Sequence, residues 1–311
     1  MRIWYSDTFE LPLPENHRFP MAKYRLLRER VAGAAVEHGF RLLIPEAASD
    51  QQLLRVHHAD YLSRVVQGEL SSLEVRRIGF PWSPAMVERS RRSVGASIAA
   101  SRAALQDGVA VNLAGGTHHA FPDAGQGYCV FNDVAVAARD LQSRGLARRI
   151  LFVDLDVHQG NGTAAIAAPD SGLFAFSIHC EENFPFRKTP GDLDISLPAG
   201  AGDEAYLQAL DSGLEQIRQR FDPDVVFYLA GADPFAGDRL GRLELGKPGL
   251  VRRDEQVLQF CAALSVPCVV VMAGGYAPDI ADIVDIHFHT VLAAARFRRD
   301  GPCTGQSRLT R

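Results

Sequence analysis

The sequence has few of the features that mark secreted, membrane-bound or thiolate-ligated proteins. Its 311 residues include five cysteines and no CxxC spacing, which argues against a disulfide framework and against a zinc site built from thiolates. No stretch approaches the ~20 apolar residues of a membrane span, and the first residues lack the cationic and apolar regions of a secretion signal. We therefore expect a cytoplasmic protein that does not enter a membrane.

An excess of positive charge is also missing. Lys and Arg number 33 against 37 Asp and Glu, for a net charge of -4 and a pI near 6.2. Such a chain has no positive field to collect phosphates, so direct nucleic-acid binding is not expected, whereas a cationic substrate is compatible. The sequence indicates no particular oligomeric state.

Linkers, repeats and low-complexity segments are absent, and the chain is long enough to bury one large core. We predict a single domain over residues 1–311. The last residues, 297–311, contain Gly, Pro, Ser, Thr and four arginines, a composition typical of a flexible tail.

Five short, mostly apolar runs predict strands. They lie at residues 109–113, 149–153, 173–178, 225–230 and 266–272. Because these runs do not alternate between polar and apolar residues, they are typical of strands buried on both faces of a parallel sheet. Helical spacing occurs at 21–38, 59–67, 84–105, 134–143, 204–220 and 253–264. The alternation predicts a doubly wound α/β fold with helices on both faces of the sheet.

Polar residues follow each predicted strand, where ligands bind in open parallel sheets. In chain order they are His118 and His119; Asp154, Asp156, His158 and Asn161; Ser177 and His179; Asp233; and Tyr276. A single aspartate after a strand is usually a turn former or helix cap, and a single histidine is usually structural. Burying several such groups together is costly unless a cation or a reaction requires them, so we interpret the set as one active site.

Three of these residues predict a catalytic metal site. Asp156 and His158 are two apart at a strand end and point the same way, and Asp233 from a later strand supplies a third ligand. Three protein ligands leave one position open for water or substrate, as in catalytic zinc sites. The same ligands also accept iron(II).

The remaining polar residues predict the groups of amide hydrolysis. His118 and His119, on the glycine-rich segment AGGTHHA, supply a base. Asp154 and Asn161 are the candidates that orient the two imidazoles. Tyr276, after Gly-Gly, is placed to donate its hydroxyl to the oxyanion that forms when water attacks a carbonyl.

The segments AGGTHHA, GYCVFNDVAVAA, DLDVHQGNGT, AGADPFAGD and AGGY resemble, in order, the motifs of the zinc-dependent histone deacetylase and acetylpolyamine amidohydrolase superfamily. The resemblance covers residues 13–295. DLDVHQGNGT, with ENHRFPMAKY and HCEENFPFRK, is most similar to the class IV branch and its bacterial relatives.

The resemblance implies an arginase-deacetylase fold, a three-layer sandwich with a central, mostly parallel sheet. It implies zinc on the three predicted ligands and His119 as base and proton donor. His118 would be its electrostatic partner beside Asp154, and Tyr276 would polarise the scissile carbonyl.

The resemblance also implies two further sites. A structural potassium ion would be bound by Asp154, the Ser177 hydroxyl and the backbone carbonyls of Asp156, His158 and Ile178. A tunnel for the acyl-lysine stem would be lined by Gly127, Tyr128 and an aromatic ring from Phe184 or Phe186.

Asn161 departs from many members of the family, which have an aspartate behind the second histidine. Because a neutral acceptor stabilises an imidazolium less than a carboxylate does, we predict a lower pKa for His119 than in aspartate-bearing relatives.

The reaction predicted from these features is hydrolysis of N-ε-acyl-lysine in a protein or peptide. Two alternatives stay open at this point, namely hydrolysis of small acylated amines such as acetylpolyamines, and an acyl-lysine-binding module without turnover. An arginase-type two-metal site is disfavoured because the additional ligands are missing. We expect structural roles for His57, His58, His287, His289 and Cys129, and the role of His179 is open.

Overall fold

The computed structural model describes residues 1–9 and 11–300. The strands are β1 (Arg2–Trp4), β2 (Arg41–Leu43), β3 (Val109–Asn112), β4 (Ile150–Asp154), β5 (Leu173–Cys180), β6 (Leu193–Leu197), β7 (Val225–Leu229) and β8 (Cys268–Val271). The helices are α1 (Ala22–Gly33), α2 (Ala35–His38), α3 (Asp50–Leu53), α4 (Ala59–Gln67), α5 (Ser72–Ile78), α6 (Pro84–Asp107), α7 (Asp133–Ser143), α8 (Asn161–Ala167), α9 (Asp203–Arg220), α10 (Lys247–Leu264) and α11 (Ile280–Asp300).

The strands form one eight-stranded sheet in the order β2-β1-β3-β8-β7-β4-β5-β6, and every pair in it is parallel. The five predicted strands are confirmed as β3, β4, β5, β7 and β8, which are the central part of the sheet. Of the other three strands, β2 and β6 are the edges of the sheet, and β1 lies next to β2.

Successive residues of a strand enter different cores on the two faces of the sheet. In β4, Leu151 and Val153 pack into one core while Ile150 and Phe152 pack into the other, and all four are buried. The first core is completed by α1, α9, α10 and α11, and the second by α4, α6, α7 and α8. This two-sided burial explains the uninterrupted apolar runs and confirms the predicted three-layer α/β architecture.

The helix predicted at 21–38 is two helices, because α1 ends at Gly33 and α2 begins at Ala35. At the other end of the chain, α11 continues to Asp300, so residues 297–300 of the expected tail are helical. Residues 301–311 lie outside the described part. Within that part, no helix has both the length and the apolarity to cross a membrane.

Candidate active site

The three predicted metal ligands meet at the carboxyl ends of β4 and β7, which are neighbours in the sheet. Asp156 and His158 follow β4, Asp233 follows β7, and all three are buried. Their ligand atoms lie within 4.8 Å of one another. The Nδ1 atom of His158 is 2.9 Å from Asp156 Oδ1 and 3.3 Å from Asp233 Oδ2. The sheet topology thus produces the cluster that the sequence predicted.

This cluster fits a divalent metal ion. Asp233 Oδ2 is buried and has no hydrogen-bond partner, which is costly for a carboxylate oxygen unless a cation accompanies it. The backbone of Gly274 approaches closely, and its N–H donates to Asp156 Oδ2 at 2.8 Å. A Cβ at Gly274 would collide with both carboxylates, so only glycine leaves this space open.

The pKa values of the cluster show concentrated negative charge. Burial and the neighbouring Asp156 raise the pKa of Asp233 to about 7. Burial lowers the pKa of His158, but the two carboxylates outweigh it and raise the value to about 10. A bound cation would offset the concentrated negative charge that both shifts report.

His118 and His119 lie side by side, with ring centroids 4.1 Å apart, and have different partners. His118 Nδ1 lies 2.6 Å from Asp154 Oδ2, and His119 Nδ1 lies 2.8 Å from Asn161 Oδ1. An amide oxygen accepts and cannot donate, so His119 carries its proton on Nδ1 and its Nε2 is free to accept another.

Burial and charge separate the pKa values of the two histidines. For His118, burial lowers the pKa, but the charges of Asp154 and Asp156 outweigh burial and raise it to about 9. For His119, burial and the positive charges of His118 and His158 hold the pKa well below its ordinary value. A charged histidine therefore lies beside a neutral one that can act as a base.

The backbone around the histidines is fixed by local contacts. Gly115 and Gly116 have φ values of 77° and 74°, a region that favours glycine. Thr117 N–H donates to Asp133 Oδ1 at 2.7 Å. The carbonyl of His118 accepts from the N–H of Thr163, in the first turn of α8, at 3.0 Å. Since α8 also begins with Asn161, the same helix fixes the backbone of the histidine segment and supplies the carboxamide oxygen that faces His119.

Tyr276 is buried next to the cluster, with its ring centroid 6.4 Å from that of His158. Burial and the charges of Asp156 and Asp233 raise its pKa well above the ordinary value, so the hydroxyl keeps its proton and can donate. Two side chains hold its backbone. Asp238 Oδ2 accepts from Tyr276 N–H at 2.6 Å, and Arg239 Nε donates to the Tyr276 carbonyl at 3.1 Å.

Aromatic rings surround the approach to these groups. Phe184 packs edge-on against His119 with centroids 4.9 Å apart, and Tyr128 lies 5.9 Å from Tyr276. Gly127 is next to the His119 ring, where a Cβ would come within 2.7 Å of His119 Cδ2. Phe186 is 89% exposed, so of the two candidate phenylalanines the structure brings Phe184 to the histidines.

The residues of the implied potassium site are also neighbours. Asp154 and Ser177 are directly paired between β4 and β5, and both line a small cavity that Asp194 also borders. Ile178 follows Ser177 and is buried. The Ser177 hydroxyl lies 3.0 Å from His179 Nδ1, and burial lowers the pKa of His179 to about 4.

The structure also places the four histidines and the cysteine for which structural roles are expected. His57 Nδ1 lies 3.1 Å from the Phe121 carbonyl, and its Nε2 accepts from Asn132 N–H at 3.0 Å. His58 is the N-cap position of α4 and makes no side-chain cap bond. His287 and Cys129 are buried, and His289 Nδ1 lies 2.9 Å from the Asp285 carbonyl.

Sequence reasoning did not identify Asp238 and Arg239 as part of the site. Their contacts are to the backbone of Tyr276, which is 38 and 37 residues away along the chain. The only sequence signal was the second aspartate of AGADPFAGD, five residues after Asp233.

Comparison with known proteins gives a consistent result. The histone deacetylase domain family matches residues 17–291. An uncharacterized protein of Picosynechococcus sp. is 47% identical over 285 residues, 92% of this chain and 95% of that protein. Histone deacetylase 2 of Arabidopsis thaliana is 30% identical over 302 residues, 91% of this chain and 76% of that protein. The crystal structure of an HDAC homologue complexed with SAHA has a TM-score of 0.82 and 25% identity, covering 95% of this chain and 83% of that chain. The likeness confirms the predicted arginase-deacetylase fold.

Proposed function

This chain belongs to the histone deacetylase family, and from that premise we propose that it is a metal-dependent amidohydrolase that removes the acyl group from N-ε-acyl-lysine in a protein or peptide. The observation that carries the proposal is the position of His119. It is a neutral imidazole with a free Nε2, and its ring centroid lies 4.1 Å from that of charged His118 and 5.9 Å from that of His158 in the metal-ligand cluster.

Zinc or iron(II) on the cluster would supply a Lewis acid that polarises the amide carbonyl and acidifies the attacking water. His119 Nε2 takes the proton from that water as the new C–O bond forms. The Tyr276 hydroxyl donates to the carbonyl oxygen as it becomes negative, and charged His118 stabilises the same region. His119 then returns its proton to the leaving nitrogen as the C–N bond breaks, which releases lysine and a carboxylate.

The same proposal includes the substrate path. Gly127, Tyr128 and Phe184 would contact the aliphatic stem of the acyl-lysine, since Phe184 and Gly127 both touch His119. Phe186, which is exposed, would lie outside that path.

A structural potassium ion would be bound by Asp154, Ser177 and the backbone carbonyls of Asp156, His158 and Ile178. The pairing of Asp154 with Ser177, and the cavity they share, support this site. We also propose a reducing, cytoplasmic setting and the class IV branch. The setting is supported by four free cysteines among the described residues, Cys129, Cys180, Cys261 and Cys268.

The test is release of free amine from peptides with acetyl-, butyryl-, octanoyl- or myristoyl-lysine and from acetylated polyamines, by enzyme reconstituted with zinc. His119→Ala should abolish turnover, and His289→Ala, on the outer helix α11, is the matched control. Turnover of the peptides, lost only in His119→Ala, supports the lysine deacylase. Turnover of polyamines alone assigns the enzyme to small acylated amines, and no turnover of either class favours a binding module.

A further inference from the structure

We propose that Lys188 is a positioning residue that holds the Phe184 wall of the substrate path in place, and thereby sets substrate affinity. The proposal depends on the proposed function in one respect only, namely that the substrate bound against Phe184 is an acyl-lysine. The segment concerned, residues 181–188, is called the Phe184 loop below.

The ammonium group of Lys188 binds three carbonyls of its own loop. Its Nζ lies 3.0 Å from the Glu181 oxygen, 2.7 Å from that of Asn183 and 2.8 Å from that of Pro185. An ammonium has three N–H donors, so each serves a different carbonyl. Within the described part of the chain, no other donor reaches these three oxygens.

The three carbonyls bracket Phe184 in sequence, so the bonds from Lys188 fix the backbone on both sides of the ring. That ring packs edge-on against His119, with centroids 4.9 Å apart. The other bonds of this loop tie it to neighbouring segments. The Asn183 side chain donates to the Leu240 carbonyl at 2.5 Å and accepts from Arg242 N–H at 3.0 Å, and further bonds join the backbone of Glu181 and Asn183 and the Glu182 carboxylate to residues outside the loop. Without the ammonium, the loop would keep these outer attachments but lose the three bonds that join its own residues around Phe184.

Lysine is rare in this chain: three of the 33 cationic residues are lysines, at positions 23, 188 and 247. At position 188 the residue type matters because a compact ammonium can direct its hydrogens at three converging carbonyls, whereas the planar guanidinium of arginine cannot. Arginine at position 188 should therefore restore the charge but only part of the function.

The kinetic test compares Lys188→Met, Lys188→Arg and Lys247→Met on an acyl-lysine peptide. Lys247 forms ion pairs with Asp282 and Asp285 and is the matched control. We expect Lys188→Met to raise KM about tenfold and to change kcat less than about twofold, because it weakens substrate binding without touching the reacting groups. The KM of Lys188→Arg should lie between the KM of Lys188→Met and that of the wild type. Unchanged KM, or a fall in kcat at unchanged KM, would overturn the proposal.

A double-mutant cycle shows whether Lys188 acts through Phe184. In a Phe184→Ala background, Lys188→Met should have no further effect on KM, since the ring it positions is gone. Additive effects would refute a role through Phe184.

Hydrogen exchange of the Phe184 loop, followed by mass spectrometry, needs no substrate. Lys188→Met should accelerate exchange of peptides spanning residues 181–188 and leave α10 unchanged, while unchanged exchange in the loop would overturn the proposal. If the wild type hydrolyses no acyl-lysine peptide, the proposed function fails, and the exchange result still decides whether Lys188 holds the loop.

Discussion

His119 and Asn161 face each other through an imidazole nitrogen and a carboxamide oxygen, 2.8 Å apart. The adjacent His118 instead faces a carboxylate, that of Asp154, at 2.6 Å. Two neighbouring rings in one buried site therefore have partners of different charge. That difference helps to keep one ring charged and the other neutral.

Replacing the amide by a carboxylate tests this relationship. Asn161→Asp should stabilise the His119 imidazolium and raise its pKa. Since a base must be unprotonated to act, the acidic limb of kcat/KM should then move to higher pH. The measurement is a pH–rate profile of both proteins on one acyl-lysine peptide. An acidic limb that stays in place, or moves to lower pH, contradicts the assignment of His119 as the base.

The second prediction concerns the clamp on Tyr276. Tyr276→Phe removes the proposed hydroxyl donor and should lower kcat by about 100-fold or more. Asp238→Asn removes one charged acceptor from the Tyr276 N–H, and should lower kcat by about tenfold through misplacement of the ring. Asp279→Asn, an exposed position on the same segment, is the control and should stay near wild type. If Asp238→Asn left kcat unchanged, Asp238 would not position Tyr276.

Metal binding should be visible in stability as well as in activity. Zinc at about 100 times its Kd should raise the Tm of metal-free wild type by about 5 °C, because the ion binds only the folded cluster. Asp233→Asn should abolish that rise. It should also make the metal-free protein at least as stable as wild type, because one of two buried like charges is gone. Thermal melts with and without chelator measure both effects; a zinc response that survives in Asp233→Asn would show that the ion binds elsewhere.

His57 should contribute a pH-dependent stability. Burial lowers its pKa from 6.5 to about 4, so it is neutral in the folded protein while the unfolded chain takes up a proton below 6.5. The contribution of neutral His57 to the free energy of unfolding is therefore complete above pH 6.5 and declines as the pH falls towards 4. At pH 5 this contribution is smaller by about 2 kcal/mol.

Urea unfolding of wild type and His57→Gln at pH 7 and pH 5 measures this loss. The difference in unfolding free energy between the two proteins should narrow by about 2 kcal/mol at the lower pH. His289→Gln, on the more exposed surface of α11, should show no such narrowing. A constant difference for His57→Gln would mean that His57 is protonated in the folded state.

The central sheet could be predicted because its strands are buried on both faces. All residues of β7 are apolar, and so are all residues of β4 except its last, Asp154. Such apolar runs can be recognised in the sequence. β1 has three residues, and β6 alternates between half-buried and exposed positions as Leu-Asp-Ile-Ser-Leu, so neither shows a comparable run. Strands at the edge of the sheet, or next to it, need neither the length nor the apolarity that made the central strands recognisable.

The residues of the site also divide into those that the sequence could predict and those that it could not. The residues proposed to act on substrate follow strand ends, and a parallel sheet brings such ends together. Lys188, Asp238 and Arg239 instead bind backbone groups, and any residue can present a backbone carbonyl or N–H. No side-chain pattern marks the partner, so these contacts emerge only when the loops are placed in three dimensions.

The position of β8 has a consequence for the order in which the protein can assemble during synthesis. β8 lies between β3 and β7, so before Cys268–Val271 is made the sheet can exist only as two separate halves with open apolar edges. The same strand leads directly into Gly274 and Tyr276. A nascent chain on the ribosome therefore joins its two half-sheets and gains Tyr276 at the same stage, and a chain that terminates earlier has neither a continuous sheet nor all the residues of the candidate active site.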